Sequence, residues 1–396
     1  MDNLDREIVA RNNREFWKII NTLSLLMIFI IAYFFILMQV SGLIAADTAF
    51  HIAYMDKFFN HEIYIPHPLW HVCTYYLSHF LKVDYGIAAS IFTAFIITLY
   101  AMIIYKIAKR LDDSQENEAK WYLITFVALT IGPFFWLNYY AKIYMGPGSP
   151  SVWHNVTLLT VKPLALLSVF YTIRFFAFTQ YRYFFWAAAI TLLSIFAKPS
   201  YIIIFLPALV VYMLFKKYFD KRQLWFASTI ILFSLAALVY QYTHEFGKGN
   251  GSSIIFDFLG VWSIYTPSVT ASVLMALGLP LLITLFNIRS IAQNEYIKFT
   301  WLLVFFAFIL FACFAEGGER YMDGNFSWSW HLSLSLIYVF TTIEYFKQYY
   351  VMPPGVRYTL LGIMLYQLYV GWYFLVEMIN GVAYNSSYDS FPFFFG

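Results

Sequence analysis

Long runs of apolar residues, separated by short polar segments, extend along the whole chain of 396 residues. Most runs are about 20 residues long, the length that an α-helix needs to cross a lipid bilayer. They lack the alternation of apolar and polar positions that marks the strands of a membrane barrel. The pattern therefore predicts an all-α, polytopic transmembrane protein with about eleven spans. The predicted spans are 17–44, 87–109, 121–140, 156–178, 183–197, 201–217, 224–246, 269–290, 299–315, 330–350 and 359–379.

These spans are expected to form a single integral membrane domain over residues 1–396. Residues 1–217 include a long first external loop, 45–86, and residues 218–396 supply further helices of a more variable kind. The fifth and sixth runs are short, so the sequence leaves open whether they form one broken span or two full ones. We expect no appended soluble domain.

The charges are few and unevenly placed. The chain is 61% hydrophobic and 12% charged, whereas ordinary soluble domains are about 25% charged. With the N-terminus in the cytoplasm, all but seven of the 25 Lys and Arg residues fall at cytoplasmic ends, and this bias sets the orientation of short-looped membrane proteins. The first loop and the C-terminal tail are then external. The seven external basic residues are Lys57, Lys82, Lys142, Lys162, Lys198, Lys248 and Arg320.

The expected location is the plasma (inner) membrane. The first apolar run is interpreted as a retained span, because the N-terminal segment is mixed in charge and lacks the small-residue cleavage site of a signal peptide. Sequons of the form Asn-x-Ser/Thr occur at Asn155, Asn250, Asn325 and Asn385, all in predicted external segments. In a eukaryote these would be lumenal glycosylation sites, and the membrane would be that of the endoplasmic reticulum.

Several function classes find no support in the sequence. Cys73 and Cys313 lie in apolar contexts and form no disulfide framework. Glycine-rich phosphate-binding loops do not occur, and we expect no nucleic-acid partner. No cofactor is predicted, with a divalent metal kept as an alternative.

The first loop concentrates ionisable residues. The stretch from Ala45 to His71 holds four of the eight histidines, together with Asp47, Asp56 and Glu62. Its apolar and aromatic positions predict an interfacial helix over 47–60. A proline-containing break follows. A second interfacial helix should then begin at Pro68, since proline suits a first helical position.

Three interpretations of this loop remain open. Its histidines and aromatics could form an ordinary interfacial belt. His67 and His71, four residues apart, could form a zinc pair, although no glutamate or thiol joins them. Asp47, at the membrane boundary, could accept a proton from a hydroxyl group of a lipid-borne substrate.

An acidic residue directly after the first span, two juxtamembrane helices in a long external loop and many further spans together resemble the GT-C superfamily of integral membrane glycosyltransferases. The resemblance covers the architecture of residues 1–215, and the stretches 146–163, 196–209 and 316–330 also look like segments of such proteins. It implies a sugar donor carried on a polyprenyl or dolichyl phosphate, a site at the external face, and Asp47 as the catalytic base. Family members often have two adjacent acidic residues at this position, whereas Asp47 stands between Ala46 and Thr48.

Two Lys-Pro pairs, at Lys162 and Lys198, are predicted near the external ends of helices that run inward. A helix N-terminus already carries partial positive charge, so lysines there favour a bound anion, and a lipid-linked phosphate is the natural candidate. The alternative is that both lysines extend towards the interface beside kinking prolines. Arg320 could likewise bind phosphate or pair with Glu316, Glu319 and Asp323.

The resulting hypothesis is an inverting transfer of a sugar from a polyprenyl-phosphate donor to a glycan or lipid acceptor, with membrane lipids as the surroundings. Alternatives are a polymerase or ligase of lipid-linked glycans, and a non-enzymatic flippase or transporter of lipid-linked sugars. The candidate phosphate-binding residues are Lys162, Lys198, Arg320, His51, His67, His71 and His154, and the candidate sugar contacts are Trp153, Asn155, Glu316 and Asn325.

Overall fold

The computed structural model describes residues 3–112, 118–135, 141–245, 253–381 and 387–388. These residues form a bundle of α-helices with two short antiparallel strand pairs, β1–β4 and β2–β3. The α-helices are α1 (Asn3–Val40), α2 (Thr48–Ala53), α3 (Met55–Phe59), α4 (Leu69–Leu81), α5 (Tyr85–Leu111), α6 (Glu118–Thr130), α7 (Val156–Phe178), α8 (Tyr181–Ala197), α9 (Ser200–Lys216), α10 (Lys221–Glu245), α11 (Gly260–Tyr265), α12 (Val269–Phe286), α13 (Ile288–Ile291), α14 (Glu295–Cys313), α15 (Ser327–Lys347) and α16 (Pro354–Ile379). The strands are β1 (Ala141–Lys142), β2 (Ile254–Phe256), β3 (Phe314–Glu316) and β4 (Ser387–Tyr388), and a 3₁₀ helix covers Gly318–Asp323.

The all-α prediction is confirmed for the described residues, and the protein has the character of a multi-pass membrane protein. Within the described residues, seven helices are long and apolar enough to cross a bilayer: α1 from Glu15, α5, α7, α10, α12, α14 and α16. The short fifth and sixth runs form the separate helices α8 and α9, each of 17 residues. The count of about eleven spans stays a prediction.

Helix α15 lies at the centre of the bundle. Every residue from Ser327 to Tyr345 is buried, with α14, α12, α6, α9 and α7 packed around it. Its hydroxyl groups donate to helix carbonyls, as Ser333 does to Trp330 and Thr341 to Ile337. A helix enclosed by protein does not need a lipid-facing surface, which explains how α15 can carry serine, threonine, histidine and glutamate side chains along its buried length.

Polar contacts at the two ends of the bundle define its sides. At one end, called here the site end, Ser329 donates to the Ser200 carbonyl oxygen (2.8 Å) and Gln241 to that of Pro66. At the opposite end, Lys216 pairs with Glu295 at 2.7 Å. The long first loop belongs to the site end, because Gln241 near the end of α10 contacts it.

The first loop forms helices at both of the predicted segments, with corrected boundaries, and their interfacial location stays a prediction. The segment 47–60 is two short helices, α2 and α3, which meet at Tyr54. Helix α4 begins at Leu69 with Pro68 as its N-cap residue, so the predicted start was one residue early. One face of α4 is buried, and Trp70 on that face donates to the Thr93 hydroxyl of α5 (3.0 Å). The loop is therefore docked on the bundle.

Helix α16 passes very close to the end of α6 at Gly371. A Cβ atom at this position would lie 1.9 Å from the Thr130 carbonyl oxygen, and the Gly132 amide donates to the Gln367 carbonyl oxygen nearby (2.9 Å). We expect Gly371→Ala to destabilise the protein by about 1–3 kcal/mol through overpacking, measured as a lower midpoint of thermal unfolding in detergent. Gly362 on the same helix is the matched control, since its Cβ would meet no atom within 4 Å. Equal midpoints for the two alanine variants would contradict this packing.

Candidate functional site

A cavity of about 310 Å³ opens at the site end of the bundle. It lies between the first loop, the α8–α9 junction, the end of α10, the β2–β3 pair and the start of α15. Both charged and apolar side chains line it. The lining residues are Pro66, His67, Lys198, Pro199, Ser200, Ile203, Leu238, Gln241, Tyr242, Glu245, Ile254, Glu316, Arg320, Asn325, Phe326, Trp328 and Ser329.

Lys198 is the buried cation of this cavity. It is the C-cap residue of α8, in extended backbone, directly before the Pro199 N-cap of α9. Its Nζ donates to Thr157 Oγ1 at 2.9 Å and to Asn155 Oδ1 at 3.4 Å, and lies 5.0 Å from the Trp328 ring. It forms no salt bridge with a carboxylate of the described residues. Burial lowers the pKa of Lys198 to about 8, an effect that Asp47 opposes and Arg320 reinforces.

Asn155 connects Lys198 with Asp47. It is the N-cap of α7, where its Oδ1 accepts the Leu158 amide (2.8 Å) and the Thr157 hydroxyl (2.9 Å), as a capping side chain does at the first orphan N–H groups of a helix. Because Oδ1 faces these donors and Lys198, the amide nitrogen points the other way. It donates to Asp47 Oδ2 at 2.6 Å.

Asp47 is half-buried at the corner between α1 and α2. Its backbone N–H donates to the His154 carbonyl oxygen (3.3 Å). The same corner is fixed by Gln39, which accepts the Thr48 hydroxyl (2.6 Å) and donates to the Trp153 carbonyl oxygen (2.8 Å). Asp47 is not itself a lining residue of the cavity, but one side chain, Asn155, separates it from Lys198.

Three first-loop histidines gather beside this site. His67 lines the cavity, and His51 Nδ1 lies 3.1 Å from His71 Nε2, with the donor set by the tautomer. Burial lowers the pKa of His71 to about 4 and the pKa values of His51 and His67 well below their ordinary value. At neutral pH these rings are therefore uncharged, so they can donate or accept hydrogen bonds without acting as counter-charges. Among the described residues, no group of three or more His, Cys, Asp or Glu side chains could hold a metal ion.

Arg320 lies on the cavity wall but is surrounded by acids. Its guanidinium contacts Glu245 at 2.6 Å, Glu316 at 3.1 Å and Asp323 at 3.5 Å. The three carboxylates carry more negative charge than one guanidinium can balance. This corner of the cavity therefore repels a further anion unless some of the acids are protonated. The arrangement matches the alternative of internal pairing more closely than direct phosphate binding.

Glu316 and Asn325 face the cavity together. Glu316 is the last residue of β3, paired with Ile254 of β2, and it accepts the Asn325 side-chain amide at 2.9 Å. Burial raises the pKa of Glu316, while Arg320 and Asn325 oppose that rise. A carboxylate and an amide at one wall supply the acceptors and donors that sugar hydroxyl groups require.

Three candidate residues lie away from the lining. Lys162 is in the second turn of α7, buried, and donates to the Pro150 carbonyl oxygen at 3.0 Å. Trp153 is packed edge-on against Phe35 and donates to the Leu129 carbonyl oxygen at 3.1 Å. His154 is buried next to Tyr144. The structure thus brings five candidates to the lining of one cavity: Lys198, His67, Glu316, Asn325 and Arg320. Lys162, Trp153 and His154 are buried outside that lining.

Sequence reasoning missed several site residues. Thr157, Gln241 and Glu245 were not among the candidates, although Thr157 holds the Lys198 ammonium and the other two line the cavity. An acidic residue at the external end of a predicted span was the available signal for Glu245. Nothing in the spacing distinguishes Thr157 or Gln241 from other polar residues.

The sequons have mixed outcomes. Asn155 is buried; its side chain donates a hydrogen bond to Asp47 and accepts one from the Leu158 amide at the start of α7. Its amide nitrogen is therefore inaccessible for glycosylation. Asn325 lines the cavity. Asn250 and Asn385 lie outside the described residues.

Comparisons with protein-family models, with curated proteins and with solved structures found no match to this chain.

Proposed function

We propose that this protein is a membrane glycosyltransferase that moves a sugar from a polyprenyl-phosphate donor to a glycan or lipid acceptor. One observation carries the proposal: a buried lysine that forms no salt bridge among the described residues lines a cavity and is joined through Asn155 to the half-buried Asp47. The cavity of about 310 Å³ is near the lower limit of pockets that hold small ligands.

In this proposal, the phosphate of the donor binds beside Lys198. The Lys198 ammonium donates hydrogen bonds only to neutral oxygen atoms, although the Asp47 charge on the far side of Asn155 favours its charged form. An incoming phosphate would supply the direct ionic contact that the lysine lacks. Helix α9 begins at Ser200 on the same wall, so its partial positive charge and unpaired N–H groups favour an anion there. Lys198 would also stabilise the charge that develops on the leaving phosphate.

The apolar part of the wall suits a lipid. Ile203 of α9 and Leu238 of α10 line the cavity together with Phe326 and Ile254. A polyprenyl chain gains free energy by leaving water for such a surface. The donor would therefore place its phosphate at the polar end of the cavity and its first isoprenoid units between α9 and α10.

Asp47 would act as the general base. A carboxylate can accept the proton of an acceptor hydroxyl as that oxygen attacks the anomeric carbon. The leaving phosphate on Lys198 and the base lie on different sides of Asn155. Attack from the face opposite the leaving group inverts the anomeric configuration.

The placement of basic residues supports an external site. Lys and Arg residues crowd the opposite end of the bundle, including Lys216 and Arg222, and few lie at the site end. By the positive-inside rule the opposite end would face the cytoplasm. We therefore propose a plasma-membrane protein that works on the outer face, with the endoplasmic reticulum as the corresponding location in a eukaryote.

The direct test is to incubate the purified protein with radiolabelled polyprenyl-phosphate sugars and a panel of glycan and lipid acceptors. Transfer of one sugar, with inverted configuration, supports the proposal. If the labelled donor instead crosses a vesicle membrane without chemical change, the protein is a flippase and the proposal is wrong. Transfer of whole oligosaccharides would replace it with a ligase or polymerase.

Donor binding is expected to weaken as the pH rises through about 8. Burial lowers the pKa of Lys198 to about this value, so the ammonium is charged below it and neutral above it. A bound phosphate stabilises the charged form and raises the midpoint in the complex. The measurement is donor affinity from about pH 6 to about pH 10. Lys198→Arg stays charged throughout and should flatten the curve; a flat curve for the unmodified protein would contradict the assignment.

A further inference from the structure

A second cleft lies at the opposite end of the bundle, away from the proposed transfer site. It encloses about 440 Å³ between α7, α14 and α15. Arg174, one turn before the end of α7, and Lys347, the last residue of α15, supply its positive charge. Gln293 and Asn294 supply amide groups beside them.

Arg174 is held in place but has no acidic partner among the described residues. Its guanidinium carbon lies 5.4 Å from the ring centres of both Phe170 and Phe178, and Tyr296 is its polar neighbour. Its Nε is buried without a hydrogen-bond partner. Two aromatic rings fix the orientation of the guanidinium, so its donors are presented to the cleft at little further cost in entropy.

The carboxylates that line the same cleft are already engaged. Glu344 accepts hydrogen bonds from Ser290 and Asn294, and Glu295 pairs with Lys216 at 2.7 Å and Lys298 at 2.5 Å. Neither forms a salt bridge with Arg174. Among the described residues, Arg174 therefore forms no salt bridge, and its guanidinium faces the cleft beside Lys347.

We propose that this cleft binds a phosphate group, that of an anionic phospholipid headgroup. Basic pockets between transmembrane helices at the headgroup level recognise such lipids. The exposed Phe178, at 48% accessibility, continues the cleft onto the surface where acyl chains would lie. Guanidinium groups bind phosphate oxygens through two parallel hydrogen bonds. The proposal is independent of the function of the site-end cavity.

The test is native mass spectrometry of the full-length protein in detergent, with equal amounts of phosphatidylglycerol and phosphatidylcholine. We expect preferential retention of phosphatidylglycerol, and an about fivefold loss of that preference in Arg174→Gln. Arg182→Gln is the matched control, because Arg182 is an exposed arginine at the same end, lies over Tyr183, and is not part of the cleft. Arg174→Lys should keep part of the preference, since it keeps the charge.

A parallel arm adds inorganic phosphate without lipid and measures the unfolding midpoint. Phosphate that stabilises the unmodified protein but not Arg174→Gln, with no lipid preference, would overturn the lipid as the source of the anion. An Arg174→Gln variant that folds normally and keeps the full preference for phosphatidylglycerol would overturn the site. Equal loss in Arg182→Gln would assign the preference to general surface charge and overturn it as well.

Discussion

Replacing Asp47 with asparagine is expected to lower the rate of sugar transfer by about 100-fold or more, because general base catalysis contributes about 10²–10⁴-fold to a rate. Binding of the donor should change little. The asparagine is nearly isosteric, and Asp47 is linked to Lys198, the cation that would hold the phosphate, by hydrogen bonds through Asn155. Because the Asp47 charge also raises the pKa of Lys198, donor affinity is compared at about pH 6, where the lysine stays charged. Single-turnover rates and donor affinity, measured separately, distinguish the two effects.

Asp56→Asn is the matched control for this change. Asp56 is the next acid in the first loop, exposed on α3, and its partner is the Tyr85 hydroxyl at 3.0 Å. The Asp56→Asn variant should transfer sugar at the same rate as the unmodified protein. An Asp47→Asn variant with full activity would refute the assignment of the base, whereas equal losses in both variants would point to disturbance of the whole loop.

Replacing Lys198 with methionine is expected to weaken donor binding by about 10- to 100-fold, the usual worth of a hydrogen bond to a charged group. The long apolar side chain of methionine fills similar space over Trp328 while removing the ammonium that faces the cavity. The measurement is the dissociation constant of a polyprenyl phosphate, which carries the anion without the sugar.

Lys162→Met separates this role from a structural one. Lys162 belongs to the other Lys-Pro pair, but its ammonium donates a hydrogen bond to the Pro150 carbonyl oxygen and does not line the cavity. Its substitution should lower the unfolding midpoint, because a buried carbonyl loses its donor, and should leave donor affinity within about twofold. The opposite outcome, in which Lys162→Met loses the donor and Lys198→Met does not, would exchange the roles of the two lysines.

The apolar runs alone predict the fold class, but they do not show whether lipid or neighbouring helices surround each run. The segment 330–350 was predicted as one span among others, whereas α15 is enclosed by protein on all sides. An apolar run has the same composition whether lipid or neighbouring helices cover it. The serines and threonines of α15 were the available sign that it lies inside.

The site was predictable in its residue types and not in their pairing. Asp47 and Asn155 were both candidates, yet their hydrogen bond joins positions 108 residues apart, which no local spacing encodes. Lys162 and Lys198 look alike in sequence. They differ because one lies in the second turn of α7 and the other at a helix junction. Only the packed structure decides which lysine reaches the cavity.

The most direct measurement is a structure of the full-length Asp47→Asn protein with a polyprenyl-phosphate sugar bound, since this variant should bind the donor without consuming it. We predict the phosphate about 3 Å from Lys198 Nζ, the isoprenoid chain along Ile203 and Leu238, and the sugar directed towards Asn155. A phosphate bound away from Lys198, with the cavity unchanged, would contradict the proposed centre of sugar transfer.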